Sequence, residues 1–240
     1  MDCSTVRCQS KRPDDAALRL RLRELGAERR RFGYRRLGWM LAREGHVMNH
    51  QRLYRLYREE KLMVRRRGRR KRALGTRTPL LVPHAINQRW SLDFVSDTLS
   101  DGRRFRILCV VDDFSRECLA TVVDTSLGGV RVVRELERLV TERAVPQEVV
   151  SDNGTELTSG AVLRGAAGRL AWRYVEPGKP AQNAFVASFN SKLRDERRTE
   201  RVFLSLAGAR ETSEAWRRDY NYLRPQSQSR SLNPKRVRSA

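Results

Sequence analysis

No apolar run in the chain is long enough to cross a bilayer, and the amino terminus, MDCSTVRCQSKRPDD, lacks the apolar stretch of a secretory signal. These absences argue against a membrane-spanning or exported protein, and the expected location is the cytoplasm. Cysteine is scarce. Cys3, Cys8, Cys109 and Cys118 show none of the CxxC pairing that zinc modules and redox motifs use, so reduced thiols are expected. His46 and His50 stand four apart, but Gly45 and Asn49 around them read as a turn, and no metal site is expected there. Acids are in deficit: 28 Asp and Glu face 50 Lys and Arg, a formal net charge of +22. Such a chain repels itself unless a polyanion is its normal partner. Nucleic acid is the first candidate; RNA or an anionic membrane surface has only the charge behind it.

What is present suffices for folding. The chain has 240 residues, 39% of them hydrophobic, enough for one full core and a smaller domain. The basic charge concentrates in VRRRGRRKRALGTR, residues 64–77, which has no acid and includes Arg65, Arg66 and Arg67. It reads as a linker lying on phosphates. Before it, apolar residues recur every three or four positions and predict helices over 14–31, 34–44 and 51–60, with Asn49 capping the last. Three short helices with a tight turn before the third suggest a helix-turn-helix, with Arg52, Arg55 and Arg58 on the exposed side, available to phosphates or base edges. An ordinary helical bundle with solvated arginines is the competing reading.

After Pro83 the pattern turns to strands: RWSLDFVSD, FRILCVVDDFS and CLATVVD, the first two joined by the hairpin turn SDGRR. A helical pattern follows in GGVRVVRELERLVTERAV, then a short strand in PQEVVSDNGTEL broken at Asn153 and Gly154. The fold class is α/β with an antiparallel region. Asp93 lies inside the first strand and Asp152 at the end of the last, so both can converge at one sheet edge. Paired carboxylates repel unless a cation joins them, and Mg²⁺ accepts one or two carboxylates together with water and phosphate oxygens. The plainer reading of Asp152 is a turn residue bonding nearby amides.

Five ordered motifs, WSLDFVSD, VVDDFSRECLA, SDNGTELTS, PGKPAQNAFVASFNSKLRDE and WRRDYNYLRPQS, resemble bacterial insertion-sequence transposases whose catalytic core is similar to retroviral integrase. The segment from Arg31 to Arg67 also resembles that family's helix-turn-helix. The resemblance implies a ribonuclease-H-like core and a D, D, E triad holding Mg²⁺ or Mn²⁺. It further implies DNA cleavage and strand transfer at element ends by a homo-oligomer on DNA. It divides the chain into a tail (1–14), a helix-turn-helix-like DNA-binding domain (15–62), a basic linker (63–82), the core (83–200) and a carboxy-terminal helical tail (201–240).

The first two acids of the triad fall on Asp93 and Asp152. The third, a glutamate in the family's NAF-x-E-S-F-N helix, falls on Ala187. The segment from Asp152 to this helix is also about one residue shorter than the family's, and RPQSQSRSL stands where the family has RPHSSL. Asp195 would lie about 12 Å along the axis from position 187, and Glu196 roughly 180° around it, so neither takes over the role. Glu156 has an acidic counterpart in the family that is not a ligand. Impaired catalysis is therefore expected, with a non-catalytic DNA-binding protein as the alternative. Lys179, Lys192 and Arg194 read equally as phosphate contacts or solvated surface. Trp90, Phe94, Phe185 and Phe189 match strand and helix faces and are expected in the core rather than stacked on bases.

Overall fold

The computed structural model describes residues 15–64, 83–166, 168–176, 180–198 and 203–224. The chain forms two compact units, Met1–Arg72 and Ala73–Ala240. In the first, α1 (Ala16–Glu28), α2 (Tyr34–Arg43) and α3 (His50–Glu59) close around Leu22, Leu25, Phe32, Leu37, Leu41, Leu53, Leu56 and Tyr57. The apolar periodicity seen in the sequence is the buried stripe of each helix. Gly38 allows α2 and α3 to meet closely, because a Cβ there would stand 2.3 Å from Leu53 Cδ2. Past the end of α2, Gly45 takes φ +91°, and Asn49 then opens α3 by accepting a 2.9 Å hydrogen bond from the Gln51 amide.

The second unit is built on five strands: β1 (Arg89–Thr98), β2 (Arg104–Asp112), β3 (Cys118–Asp124), β4 (Glu148–Ser151) and β5 (Trp172–Tyr174). Their spatial order is β3-β2-β1-β4-β5, with β1–β3 antiparallel and β4 and β5 added in parallel. The parallel pairing of β1 with β4 needs a crossover, which α4 (Gly129–Glu142) supplies. Alternation along the strands divides the core. Trp90, Leu92, Leu108, Val110 and Val149 face Val132, Leu136 and Leu139 of α4. Val95, Phe105, Ile107, Cys109 and Val111 face the other way, onto Val186, Phe189 and Leu193 of α6 (Ala184–Arg198) and Ala209 of α7 (Leu206–Arg218). A short α5 (Gly160–Ala166) packs beside α4, where a Cβ on Gly165 would meet Val133 at 2.6 Å.

Residues 201–240, expected as a carboxy-terminal helical tail, include the helix α7, which packs into the same apolar cluster. Trp216 and Tyr220 stack at 5.2 Å, and each ring meets Phe189 edge-on. Beyond α7 the helix widens over Asp219–Leu223, and Asn221 points its amide at β3. Its Oδ1 accepts from the Cys118 amide at 2.9 Å and its Nδ2 donates to the Cys118 carbonyl at 2.8 Å, so one side chain replaces a neighbouring strand. Arg210 donates to the Val123 carbonyl and Arg217 to that of Cys118, covering this edge at both ends.

Candidate active site and nucleic-acid interface

The register between β1 and β4 brings the two aspartates together. Pairing runs from Arg89 opposite Glu148 to Leu92 opposite Ser151, so the next step sets Asp93 beside Asp152 as β4 ends. Parity turns both toward the α6 face, since Asp93 stands opposite Cys109. The Asp152 charge is felt at Asp93. Asp152 is exposed, and one of its oxygens accepts from the Gly154 amide at 3.2 Å, the turn bond that the plainer reading required. Gly154 suits the place, because a Cβ on it would come within 3.2 Å of that oxygen.

Asp93 is half-buried with both oxygens engaged: Oδ1 accepts from the Phe94 amide at 2.8 Å and Oδ2 from Asn190 Nδ2 at 2.7 Å. Burial pushes its carboxyl above the usual aspartate range; the Asn190 and Phe94 hydrogen bonds oppose the shift, and the Asp152 charge adds to it. Folding thus tightens proton binding at Asp93. That contribution favours the fold below the unfolded value of about 4 and is lost as pH rises through the folded value. Asp93→Asn keeps an acceptor, and Asn190, whose Oδ1 is buried without a partner, can turn its amide to match. Without metal, the variant is expected to melt higher than the native chain at pH 7, the difference closing toward pH 4. Equal melting points at pH 7 would show that holding the charged carboxylate there costs nothing.

Ala187 is placed by its neighbours on α6 and the 3-10 turn Pro180–Asn183 before it. Asn183 Nδ2 donates to the Leu92 carbonyl at 3.1 Å, and Asn190 bonds Asp93. Positions 183, 187 and 190 form one helical stripe, so the exposed Ala187 methyl lies between two side chains that touch β1 at Leu92 and Asp93. Glu196 lies elsewhere: it accepts from Trp216 Nε1 at 2.9 Å and forms a two-pronged pair with Arg224 at 2.6 Å. Glu156 is ion-paired to Arg106, which holds its carboxyl below the usual range. Among the described residues no three His, Cys, Asp or Glu side chains gather to hold a metal. Asp93 and Asp152 suit one hard cation completed by water or phosphate oxygens, while a second cation would lack a protein carboxylate at position 187.

Below the acids lies a group that the sequence did not signal as a unit. Arg89, buried, pairs with the fully buried Asp113, which also accepts from Ser91 Oγ at 2.8 Å. Phe185, read as core, is half-buried, with the Arg116 guanidinium 3.2 Å from its ring centroid and that of Arg89 at 5.6 Å. Burial brings the Arg116 pKa down to about 10, which leaves it charged at neutral pH. The motif VVDDFSRE therefore fixes the start of α6 against the sheet. Trp90 and Phe189 are fully buried, and Phe94 packs partly buried on the α4 face.

The sequence-predicted DNA contacts separate. Arg52 is exposed and Arg55 half-buried, and acids engage both. Arg52 is ion-paired to the buried Asp15, and Arg55 reaches the same carboxylate at 3.4 Å and Glu59 at 3.8 Å. Asp15 lies 37 residues before Arg52 in sequence, a contact that no local pattern signals. Arg58 is exposed, with its guanidinium 5.9 Å from the Tyr54 ring. Lys192 Nζ lies 5.6 Å from the Tyr220 ring, whereas Arg194 is exposed and its charge reaches Asp93. Arg65, Arg66, Arg67 and Lys179, with Cys3 and Cys8, lie outside the described residues. Among those described, no helix is long and apolar enough to cross a membrane.

Comparison with known proteins accounts for both units. Residues 13–70 match the family described as HTH-like domain, and residues 83–180 and 169–234 match two families described as integrase core domain. The uncharacterized 31.7 kDa protein of insertion element IS407 from Burkholderia multivorans is 47% identical over 222 residues, covering 92% of this chain and 80% of that one. Among solved structures, a chain of the simian T-cell lymphotropic virus intasome matches with TM-score 0.58 at 14% identity, over 85% of this chain and 74% of that chain. The HTLV-2 integrase catalytic core solved with magnesium matches at TM-score 0.50 and 14% identity, over 66% of this chain and 99% of its own. At that identity the likeness concerns the fold, which is that of an integrase core. The protein belongs to the bacterial insertion-sequence transposases with a retroviral-integrase-like core and an HTH-like amino-terminal domain.

Proposed function

We propose that the protein binds the ends of its insertion element through the amino-terminal unit and carries, in its core, the scaffold of a Mg²⁺-dependent cleavage and strand-transfer site. In this chain that site is catalytically impaired. The observation that carries the reading is the convergence of Asp93 and Asp152 beside the stripe Asn183–Ala187–Asn190, which seats a methyl where the family helix carries its glutamate. Asp93 and Asp152 would hold the ion, Asn190 orienting the first carboxylate. Bound divalent ions in such sites activate a hydroxyl and stabilise a leaving oxygen in phosphoryl transfer. The magnesium bound by the HTLV-2 core supports the choice of metal. The proposed division is a DNA-binding segment over 15–62, a basic linker over 63–82 and a core from residue 83, assembling as a homo-oligomer on DNA. A non-catalytic protein occupying element ends is the second reading, and Ala187 is the feature that favours it.

The full chain should shift duplex carrying the terminal sequence of its own element in preference to random duplex or RNA, with affinity falling steeply in salt. Equal binding to all three would refute element-end recognition. The metal site has a separate test. Mg²⁺ or Mn²⁺ should raise the melting point of the full chain slightly, and Asp93→Asn should remove that increment. A metal-dependent shift unchanged in the variant would make Asp93 a structural strand residue.

A further inference from the structure

The outward side of α3 is divided into two flanks that treat their arginines differently. With Leu53, Leu56 and Tyr57 buried, helical geometry sets Arg52, Arg55 and Glu59 on one flank and Gln51, Tyr54 and Arg58 on the other. The first flank is engaged in ion pairs, although the Arg52 and Glu59 side chains remain 43% and 42% exposed. Asp15, just before α1, holds Arg52 and Arg55, and Arg19 of α1 reaches across to Glu59 and to Glu60 at 2.8 Å. Asp15 is 7% exposed, and its carboxyl lies below the usual range chiefly because Arg52 hydrogen-bonds it. This flank joins α1 to α3.

The second flank is also exposed but, among the described residues, carries no ion pair. Gln51 and Arg58 are exposed, and Tyr54 is 41% exposed. Tyr54 is braced against Tyr34 at 4.9 Å, and Arg58 extends over its ring. At 5.9 Å from the ring centroid the Arg58 guanidinium lies at the outer range of a cation–π contact, which biases its direction toward the Tyr54 side. An exposed amide and a directed guanidinium on one helix face match the groups that read adenine and guanine edges in the major groove. The net charge of +22 supplies attraction to the duplex, and this flank supplies the pattern.

Resting on the DNA-binding reading above, we infer that Gln51 and Arg58, the latter positioned by Tyr54, determine which base pairs the protein selects. Arg52 and Arg55 are withheld from the bases by Asp15. The full chain can be tested by selection from a randomised duplex pool, followed by salt titration on the enriched duplex. Arg58→Lys keeps the charge and loses the fork, so it should relax preference at one base pair by roughly 5- to 150-fold while changing affinity for random duplex little. Gln51→Ala should relax a different base pair. Arg52→Gln should leave the enriched sequence unchanged and lower the melting point. Asp15→Asn should free two cations and steepen the log–log salt dependence by about 1–2.

Unchanged selection by both Gln51→Ala and Arg58→Lys would overturn the assignment, as would an altered sequence from Arg52→Gln. Tight binding without any enriched sequence would overturn the assignment and leave DNA binding standing. A native chain that binds no duplex at low salt would overturn both.

Discussion

Ala187→Glu is expected to turn a chain that nicks element-end duplex at background level into one that cleaves it in Mn²⁺, by roughly tenfold or more. The helix frame is already in place: Asn183 and Asn190 tie the stripe to Leu92 and Asp93, and Glu196 and Arg224 hold the opposite side of α6. On the proposed reading, the stripe lacks only the anionic group. Mn²⁺ is the ion for the assay because it suits carboxylate ligands. Recovery should be partial, since the shortened segment before α6 can shift the helix, and a displacement of about 1 Å costs on the order of a hundredfold. Gel analysis of labelled element ends gives the readout, and adding Asp152→Asn to Ala187→Glu should return cleavage to background. Strong cleavage by the unaltered chain, abolished by Asp152→Asn alone, would mean that another acid completes the site.

The largest loss of stability should follow Arg89→Ala. The substitution strands the Asp113 carboxylate, which is fully buried and keeps only Ser91 Oγ as a side-chain donor from the strand. Removing one partner of a buried pair costs about 3–5 kcal/mol. In a chain of this size that lowers the melting point by roughly 6–20 °C. Neutralising both ends should undo part of it: Arg89→Met with Asp113→Asn removes the stranded carboxylate and keeps an acceptor for Ser91, while Arg116 loses the Asp113 charge that supports its own. Thermal melts of the single and double variants separate these effects. A single variant that melts within 2 °C of the native chain would show that water reaches Asp113.

The acids were legible because their placement follows from local rules. A strand alternates and Asn153–Gly154 ends β4, so each acid's place on its own strand is set locally, and the β1–β4 register then brings Asp93 and Asp152 together. The α/β class and the three amino-terminal helices were legible for the same reason, since period and capping are written within a few residues. The fate of Arg52 and Arg55 was not. Their charge and spacing are those of a DNA-reading face, and what pairs with them is Asp15, brought near only when α1 packs on α3. Phe185 likewise has the spacing of a core aromatic, yet Arg116 covers its ring from the β2–β3 turn. Asn221 falls inside the WRRDYNYLRPQS motif, but its role was not legible, because an amide standing in for a strand has no periodicity.

That amide has a further consequence for how copies of the chain can meet. An open sheet edge invites another strand to add to it, which is a common beginning of aggregation. Along β3 the Cys118 amide and carbonyl are taken by Asn221 and Arg217, and the Val123 carbonyl by Arg210. If copies assemble on DNA as proposed, these contacts disfavour their joining through β3. A product truncated before α7, as a frameshift inside a mobile element would leave, loses all three guards at once and presents a bare, apolar strand. Such fragments should precipitate rather than compete with the intact protein for DNA.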